Sequence, residues 1–188
     1  MPSEAVPSSY PNAATPPKAL RVATFTLSDT RTPADDESGR VLEAELRAAG
    51  LVVSEHRILP DDGVSIRDAV RALVAAKSVD AIVTSGGTGI APRDVTIETL
   101  APLFDRTLDG FGEAFRRLSW DEVGPRSILS RATAGVIGTI LVFALPGSTK
   151  AVRLGVRELV APVLPHAVDL ANGRTSHATK TATRSPSP

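Results

Sequence analysis

The run best suited to chemistry is Thr84-Ser85-Gly86-Gly87-Thr88-Gly89, placed where a short apolar stretch ends. Glycines at a strand end let backbone N–H groups approach an anion, and neighbouring hydroxyls add donors. The run reads as a cradle for a phosphate or carboxylate, or as a tight strand-to-helix turn. It is no Walker A loop, because no Gly-Lys-Ser/Thr follows. It is no dinucleotide fingerprint either, because Pro92 stands where the third glycine would be needed. Two acidic segments, Pro60-Asp61-Asp62-Gly63 and Pro92-Arg93-Asp94-Val95-Thr96, belong to the same rim. Asp94 or Thr96 could cap a helix, and Asp61-Asp62-Gly63 could be a solvated turn. Two carboxylates beside a phosphate cradle also suit Mg²⁺, which takes one or two carboxylates plus phosphate oxygens.

Two further segments have this strand-end character. Ser28-Asp29-Thr30-Arg31-Thr32, continuing to Asp36-Glu37-Ser38-Gly39, offers short hydroxyls and carboxylates to a ribose or base edge. The same residues serve Asx-turns and N-caps. Leu145-Pro146-Gly147-Ser148-Thr149-Lys150 ends a strand and opens a helix, with Lys150 in a first turn, where a cation opposes the helix dipole and suits a bound phosphate.

The composition removes other chemistries. With no cysteine there is no disulfide, thiolate metal site or catalytic thiol, which fits a reducing cytoplasm. His56, His166 and His177 lack metal-ligand spacing, and no Gly-x-Ser-x-Gly nucleophile turn occurs. The 21 basic and 21 acidic side chains create no net field for nucleic acid or an anionic membrane, and single Trp120 and Tyr10 give no stacking platform. Arg116 and Arg117 read as a solvated helix face. Residues 132–149 are uncharged, but Gly135, Gly138, Pro146 and Gly147 argue for buried strands and a turn rather than a membrane span.

The elements that must position these residues alternate. Leu20–Leu27, Leu51–Leu59 and Val79–Thr84 read as strands; Ser38–Ala49 reads as a helix closed by Gly50, and Ile66–Val74 as one capped by Ser65. A third helix is expected over Thr96–Phe104 and a fourth over Gly112–Trp120. Ala132–Ile137 and Ile140–Leu145 should form a type II′ hairpin about Gly138-Thr139. Ser148–Val160 is the last long helix, with Pro162 and Pro165 expected to break it before a final turn or two through Leu170. The pattern specifies an α/β domain with a mostly parallel mixed sheet and ligands beyond the carboxyl ends of its strands. It occupies residues 18–173, between a disordered Pro-rich tail (1–17) and a disordered basic tail (174–188).

In order along the chain, Ser28-Asp29-Thr30-Arg31-Thr32, Asp36-x-Ser38-Gly39, Pro60-Asp61-Asp62, Gly86-Gly87-Thr88-Gly89 with Pro92-Arg93-Asp94-Val95-Thr96, Gly110-Phe111-Gly112-Glu113, Ile128-Leu129-Ser130-Arg131, and Leu145-Pro146-Gly147-Ser148 with Lys150 resemble the MogA/MoaB family of molybdenum-cofactor biosynthesis. Several spaced motifs in one chain are more specific than any single glycine loop. The resemblance implies a three-layer α/β/α sandwich that assembles as a homotrimer or hexamer, and an adenylyltransferase. Its reaction moves AMP from Mg²⁺-bound ATP to the terminal phosphate of molybdopterin and releases pyrophosphate. It implies Asp61 and Asp94 for metal and catalysis, and Ser28 and Asp29 near the nucleotide. Ser85, Gly86, Gly87, Thr88, Gly89, Pro146, Gly147 and Ser148 would hold phosphate or pterin, and Glu113, Ser130 and Lys150 would line the pterin side. Other molybdenum-cofactor biosynthesis proteins are the implied partners. The Ser85-Gly86 junction and Gly147-Ser148-Thr149 are closer to the MoaB branch, some of whose members have little adenylation activity. A pterin-binding carrier with the same fold is therefore the alternative, and a nucleotide-binding domain unrelated to pterins a third reading.

Overall fold

Residues 19–174 are described by the structure, a computed structural model. The two expected tails lie outside the described residues except for Arg174, whose backbone N–H donates to the Asp169 carbonyl at 2.8 Å. The strands are β1 (Arg21–Leu27), β2 (Val52–Leu59), β3 (Ala81–Ser85), β4 (Arg106–Thr107), β5 (Thr133–Ile137) and β6 (Ile140–Leu145). They form one sheet in the order β2-β1-β3-β6-β5-β4. The four strands β2, β1, β3 and β6 run parallel, and β5 is antiparallel to both of its neighbours. β3 and β6 are buried throughout, which explains their near-continuous apolar and β-branched sequences, while β2 at the edge has exposed positions.

The helices are α1 (Glu37–Ala48), α2 (Gly63–Ala76), α3 (Thr96–Leu100), α4 (Asp109–Val123), α5 (Thr149–Gly155) and α6 (Ala161–Ala171). On one face of the sheet Leu42 and Leu46 of α1, Phe115 of α4 and Leu164 of α6 pack on Val22, Val83 and Phe143. On the other, Ile66 and Val70 of α2 and Leu100 of α3 pack on Phe25, Ile82 and Val142. The result is the expected three-layer α/β/α sandwich. Because α1 and α2 lie on opposite faces, β2 and β3 flank β1 on opposite sides. The chain therefore splits at the carboxyl ends of β1 and β3, the position where open α/β sheets leave a crevice.

The hairpin forms as expected: Ile137 pairs with Ile140, and Gly138 supplies the positive φ of 61°. Elsewhere the structure corrects the sequence reading. The N-cap of α2 is Asp62, not Ser65; its Oδ2 accepts from both the N–H and the hydroxyl of Ser65 at 2.8 Å. The third helix gives way after Leu100 to a 3₁₀ turn, Ala101–Leu103, with Pro102 in its first turn. α4 is longer at both ends than Gly112–Trp120. The prolines do not break the last helix: a π turn at Val156–Val160 realigns the hydrogen bonding just before Pro162, and α6 continues through Pro165. Leu164 and Val168, fully buried on the sheet, hold that turn helical against the preference of proline. Two-residue β4 has no periodicity to betray it in sequence.

Candidate functional site

At the crevice the loops after β1, β2, β3 and β6 enclose a cleft of about 300 Å³. The β1 loop is folded on its own hydroxyl, because Ser28 Oγ accepts from the N–H groups of Thr30 and Arg31 at 3.2 and 3.3 Å. Asp29 reaches across to the β2 loop and accepts from the Asp61 N–H at 2.9 Å. That bond draws together two acidic residues far apart in sequence.

The glycine run lines the same cleft, with Gly87 against Asp61. Gly86 has φ +114°, and a side chain there would overlap the Leu27 carbonyl; Gly87 has φ +62°, and a side chain would overlap the Thr96 hydroxyl. Only glycine fits both positions. Thr96 does not cap α3 but latches this loop: its hydroxyl donates to Gly86 O at 3.0 Å and its N–H to Gly87 O at 3.2 Å. Among the described residues no hydrogen bond engages the N–H groups of Gly87, Thr88 or Gly89. Such free donors on a glycine-rich turn suit an anion. Ser85 Oγ, fully buried at the edge of the cleft, likewise has no partner.

Asp94 does not cap α3 either. Its Oδ2 accepts from the Ala91 N–H at 2.7 Å, closing a short turn, and lies 2.6 Å from where a Gly89 side chain would begin. Asp61 faces this group. Burial pushes the Asp61 carboxyl above the ordinary aspartate range, and the nearby Asp29 and Asp94 carboxylates add to the rise, partly offset by Arg93. Its Oδ1 is buried with no hydrogen-bond partner. A carboxylate oxygen without a donor, among like charges, is what a cation would satisfy. The described residues contain no cluster of three or more acidic, His or Cys side chains able to hold a metal. An ion here would complete its shell with phosphate and water, as Mg²⁺ does.

Of the residues singled out from sequence, Ser28, Asp29, Asp61, Ser85, Gly86, Gly87, Thr88, Gly89, Asp94, Ser130, Pro146 and Gly147 all line this one cleft. Three do not. Ser148 is the N-cap of α5, accepting from the Ala151 N–H at 3.2 Å. Glu113 lines an adjoining groove of about 400 Å³ that shares Ser130 with the cleft. Lys150 lies with Glu122, Arg153 and Arg157 in a separate groove of about 540 Å³.

Sequence reasoning missed the cations. Arg31 and Arg93 line the cleft, and both stand inside segments chosen for their carboxylates and hydroxyls. Arg131 approaches the same loops from behind: its N–H donates to Thr88 O at 3.0 Å, Nε to Gly89 O at 2.7 Å and a terminal nitrogen to Asp94 O at 2.9 Å. His56, which has no metal partners, instead joins Thr24 Oγ1 and Asp36 Oδ2, each at 2.9 Å. Burial works to raise the Asp36 carboxyl, but the Gly39 N–H, the other donors and His56 more than offset it and leave it below its ordinary range. This network anchors the start of α1, where Ser38 meets the cleft.

Residues 23–166 match the family model described as a probable molybdopterin binding domain. Molybdenum cofactor biosynthesis protein B of Bacillus cereus is 46% identical over 151 residues, 80% of this chain and 89% of that protein. A crystal structure of a molybdenum cofactor biosynthesis protein B superposes with a TM-score of 0.81 at 44% identity, covering 85% of this chain and 99% of that one. The tungsten cofactor synthesizing protein MoaB from Pyrococcus furiosus gives 0.75 at 38% identity, covering 85% and 100%. With the cleft at the switch point and matches that span nearly all described residues, the chain belongs to the MoaB/MogA family of molybdenum cofactor biosynthesis proteins.

Proposed function

We propose that this chain acts in molybdenum cofactor biosynthesis by transferring AMP from ATP to the terminal phosphate of molybdopterin, releasing pyrophosphate. The family and its relatives support the biosynthetic role. The observation that carries the finer reading is the unpartnered, buried Asp61 oxygen near Asp94 and against Gly87 of the glycine loop, whose N–H groups are free. In the reaction, a pterin phosphate oxygen bonds to the α-phosphorus of ATP. The bond from that phosphorus to its β-bridging oxygen breaks, and pyrophosphate leaves with the electron pair. An anionic nucleophile needs no base, which suits a cleft that no histidine lines.

Catalysis of such a step is positioning plus charge stabilisation. The N–H groups of Gly87 to Gly89 orient phosphate oxygens, and Arg31 and Arg93 offset their charge. Asp61 and Asp94 would hold Mg²⁺, which when bound neutralises phosphate charge. Incubating the protein with molybdopterin, ATP and Mg²⁺ should give adenylylated pterin and pyrophosphate in equal amounts. Folded protein that forms neither overturns the reading.

One observation favours the carrier alternative. A cleft of about 300 Å³ accommodates one small ligand, at the lower end of the roughly 300–1,000 Å³ of ligand pockets. Adenylylation therefore needs the adjoining Glu113 groove as well. Calorimetry separates the two: pterin binding without Mg²⁺-ATP binding supports the carrier, and binding of both supports the enzyme.

A further inference from the structure

Arg131 follows the 3₁₀ turn at Gly124–Leu129 and immediately precedes the strand region of β5, 42 residues after Gly89 and 37 after Asp94. It does not line the cleft; it borders the Glu113 groove, but each of its guanidinium nitrogens already donates to Gly89, Asp94 or Glu98 rather than facing a ligand. From there one guanidinium holds the Gly89 and Asp94 carbonyls at 2.7 and 2.9 Å, and it pairs with Glu98 of α3. A planar guanidinium fixes the spacing of the groups it bridges, and an ammonium on a flexible stem does not. Gly89 belongs to the cradle; Asp94 carries the carboxylate, which is oriented further by the Ala91 N–H.

We infer that Arg131 is a positioning residue that fixes the distance between the anion cradle and the Asp94 carboxylate, and so governs turnover rather than pterin affinity. This rests on the adenylylation reading for its kinetic consequence and on geometry alone for its structural one. Arg131→Lys keeps the charge opposite Glu98 but cannot grip both carbonyls. It should lower kcat by about 10- to 100-fold, in line with the cost of misplacing a catalytic group by an ångström, and shift the pterin dissociation constant by no more than about threefold. Glu98→Gln, which leaves both carbonyl bonds in place, should stay close to wild type.

A second readout excludes general destabilisation. The Ala91 amide is shielded by Asp94 Oδ2, so Arg131→Lys should speed its hydrogen exchange by about tenfold or more while Val142 amide exchange in β6 stays unchanged. Wild-type turnover and Ala91 protection in Arg131→Lys overturn the inference, as does an equal loss of protection at Val142. In the wild-type protein the Arg131 Nε–H should exchange slowly because Gly89 O accepts it, and rapid exchange overturns the inference without any variant. Wild-type protein that makes no adenylylated pterin defeats the functional reading, while the two exchange measurements still decide the role of Arg131.

Discussion

Asp61 and Asp62 are adjacent, chemically identical and structurally opposite. The Asp62 carboxylate caps α2 by accepting from Ser65, and the Ser65 N–H, followed by the Ser65 hydroxyl, holds it below its ordinary range. A carboxyl lowered by folding stabilises the protein above its unfolded pKa, and that contribution fades as pH falls through the folded value. Asp62→Ala should therefore lower Tm at pH 7, by less at pH 4, and leave adenylylation intact. Asp61 has the reverse sign. Its raised carboxyl destabilises the folded chain once pH exceeds the unfolded aspartate value of about 3.9. Asp61→Asn should raise Tm at pH 7, and the gain should shrink towards pH 4. Turnover should fall by roughly 100-fold or more, the scale seen when a group that stabilises transition-state charge is removed. Pterin binding should change little, and a parallel loss of binding would show that Asp61 contacts the pterin instead. Thermal melts at two pH values with a pyrophosphate assay check both variants.

At the scale of elements, the site is made by where strands stop. β1 and β3 lie side by side with Thr26 opposite Ser85, and their loops diverge from that register point. Gly86 turns back under the Leu27 carbonyl, and its N–H donates to Leu145 O at 3.0 Å, so three strand ends meet at one residue. Gly86→Ala should cost about 1–3 kcal/mol through the strained left-handed backbone. It should also displace the cradle, a combination that chemical denaturation and nucleotide binding measure separately. This layout was readable in the sequence because buried parallel strands ending in glycine announce themselves through apolar runs and breakers. The convergence of Asp61 and Asp94 was expected because both segments follow strands and so share one rim of the sheet. What was not readable depends on contacts remote in sequence. Arg131 reaches Gly89 and Asp94 across α3, β4 and α4, and although it closes the Ile128-Leu129-Ser130-Arg131 motif, nothing local shows which carbonyls it holds. The helix through Pro162 and Pro165 survives only because Leu164 and Val168 are buried on a sheet that periodicity cannot weigh against proline. Lys150 and Ser148 open α5 beside the cleft in sequence, yet helix geometry aims Lys150 into a different groove.

At the scale of the whole molecule, the separation of Glu113 and Lys150 from the cleft bears on assembly. Near the end of α4, Trp120 is 50% exposed and Ile128, just beyond it, 68%, and the two line one groove with Arg116, Arg117 and Asp121. Large apolar side chains rimmed by charge are the composition of an interface core with a polar rim. Ile128 also borders the groove that holds Glu113 and Ser130, so a second copy seated on this face would close a wall next to the cleft. The homo-oligomer implied by the sequence resemblance and this patch lead to the same experiment. Native mass measurement of the wild-type chain should give a multiple of 19.6 kDa. Ile128→Asp, which places a carboxylate in the apolar centre, should shift the particle towards a single chain and move Trp120 fluorescence to longer wavelength as its ring meets water. Circular dichroism should stay unchanged, because neither side chain belongs to the two buried cores. A wild-type particle that is already a single chain at micromolar concentration removes the argument, and Trp120 emission unmoved by Ile128→Asp would place the contact between copies on another face.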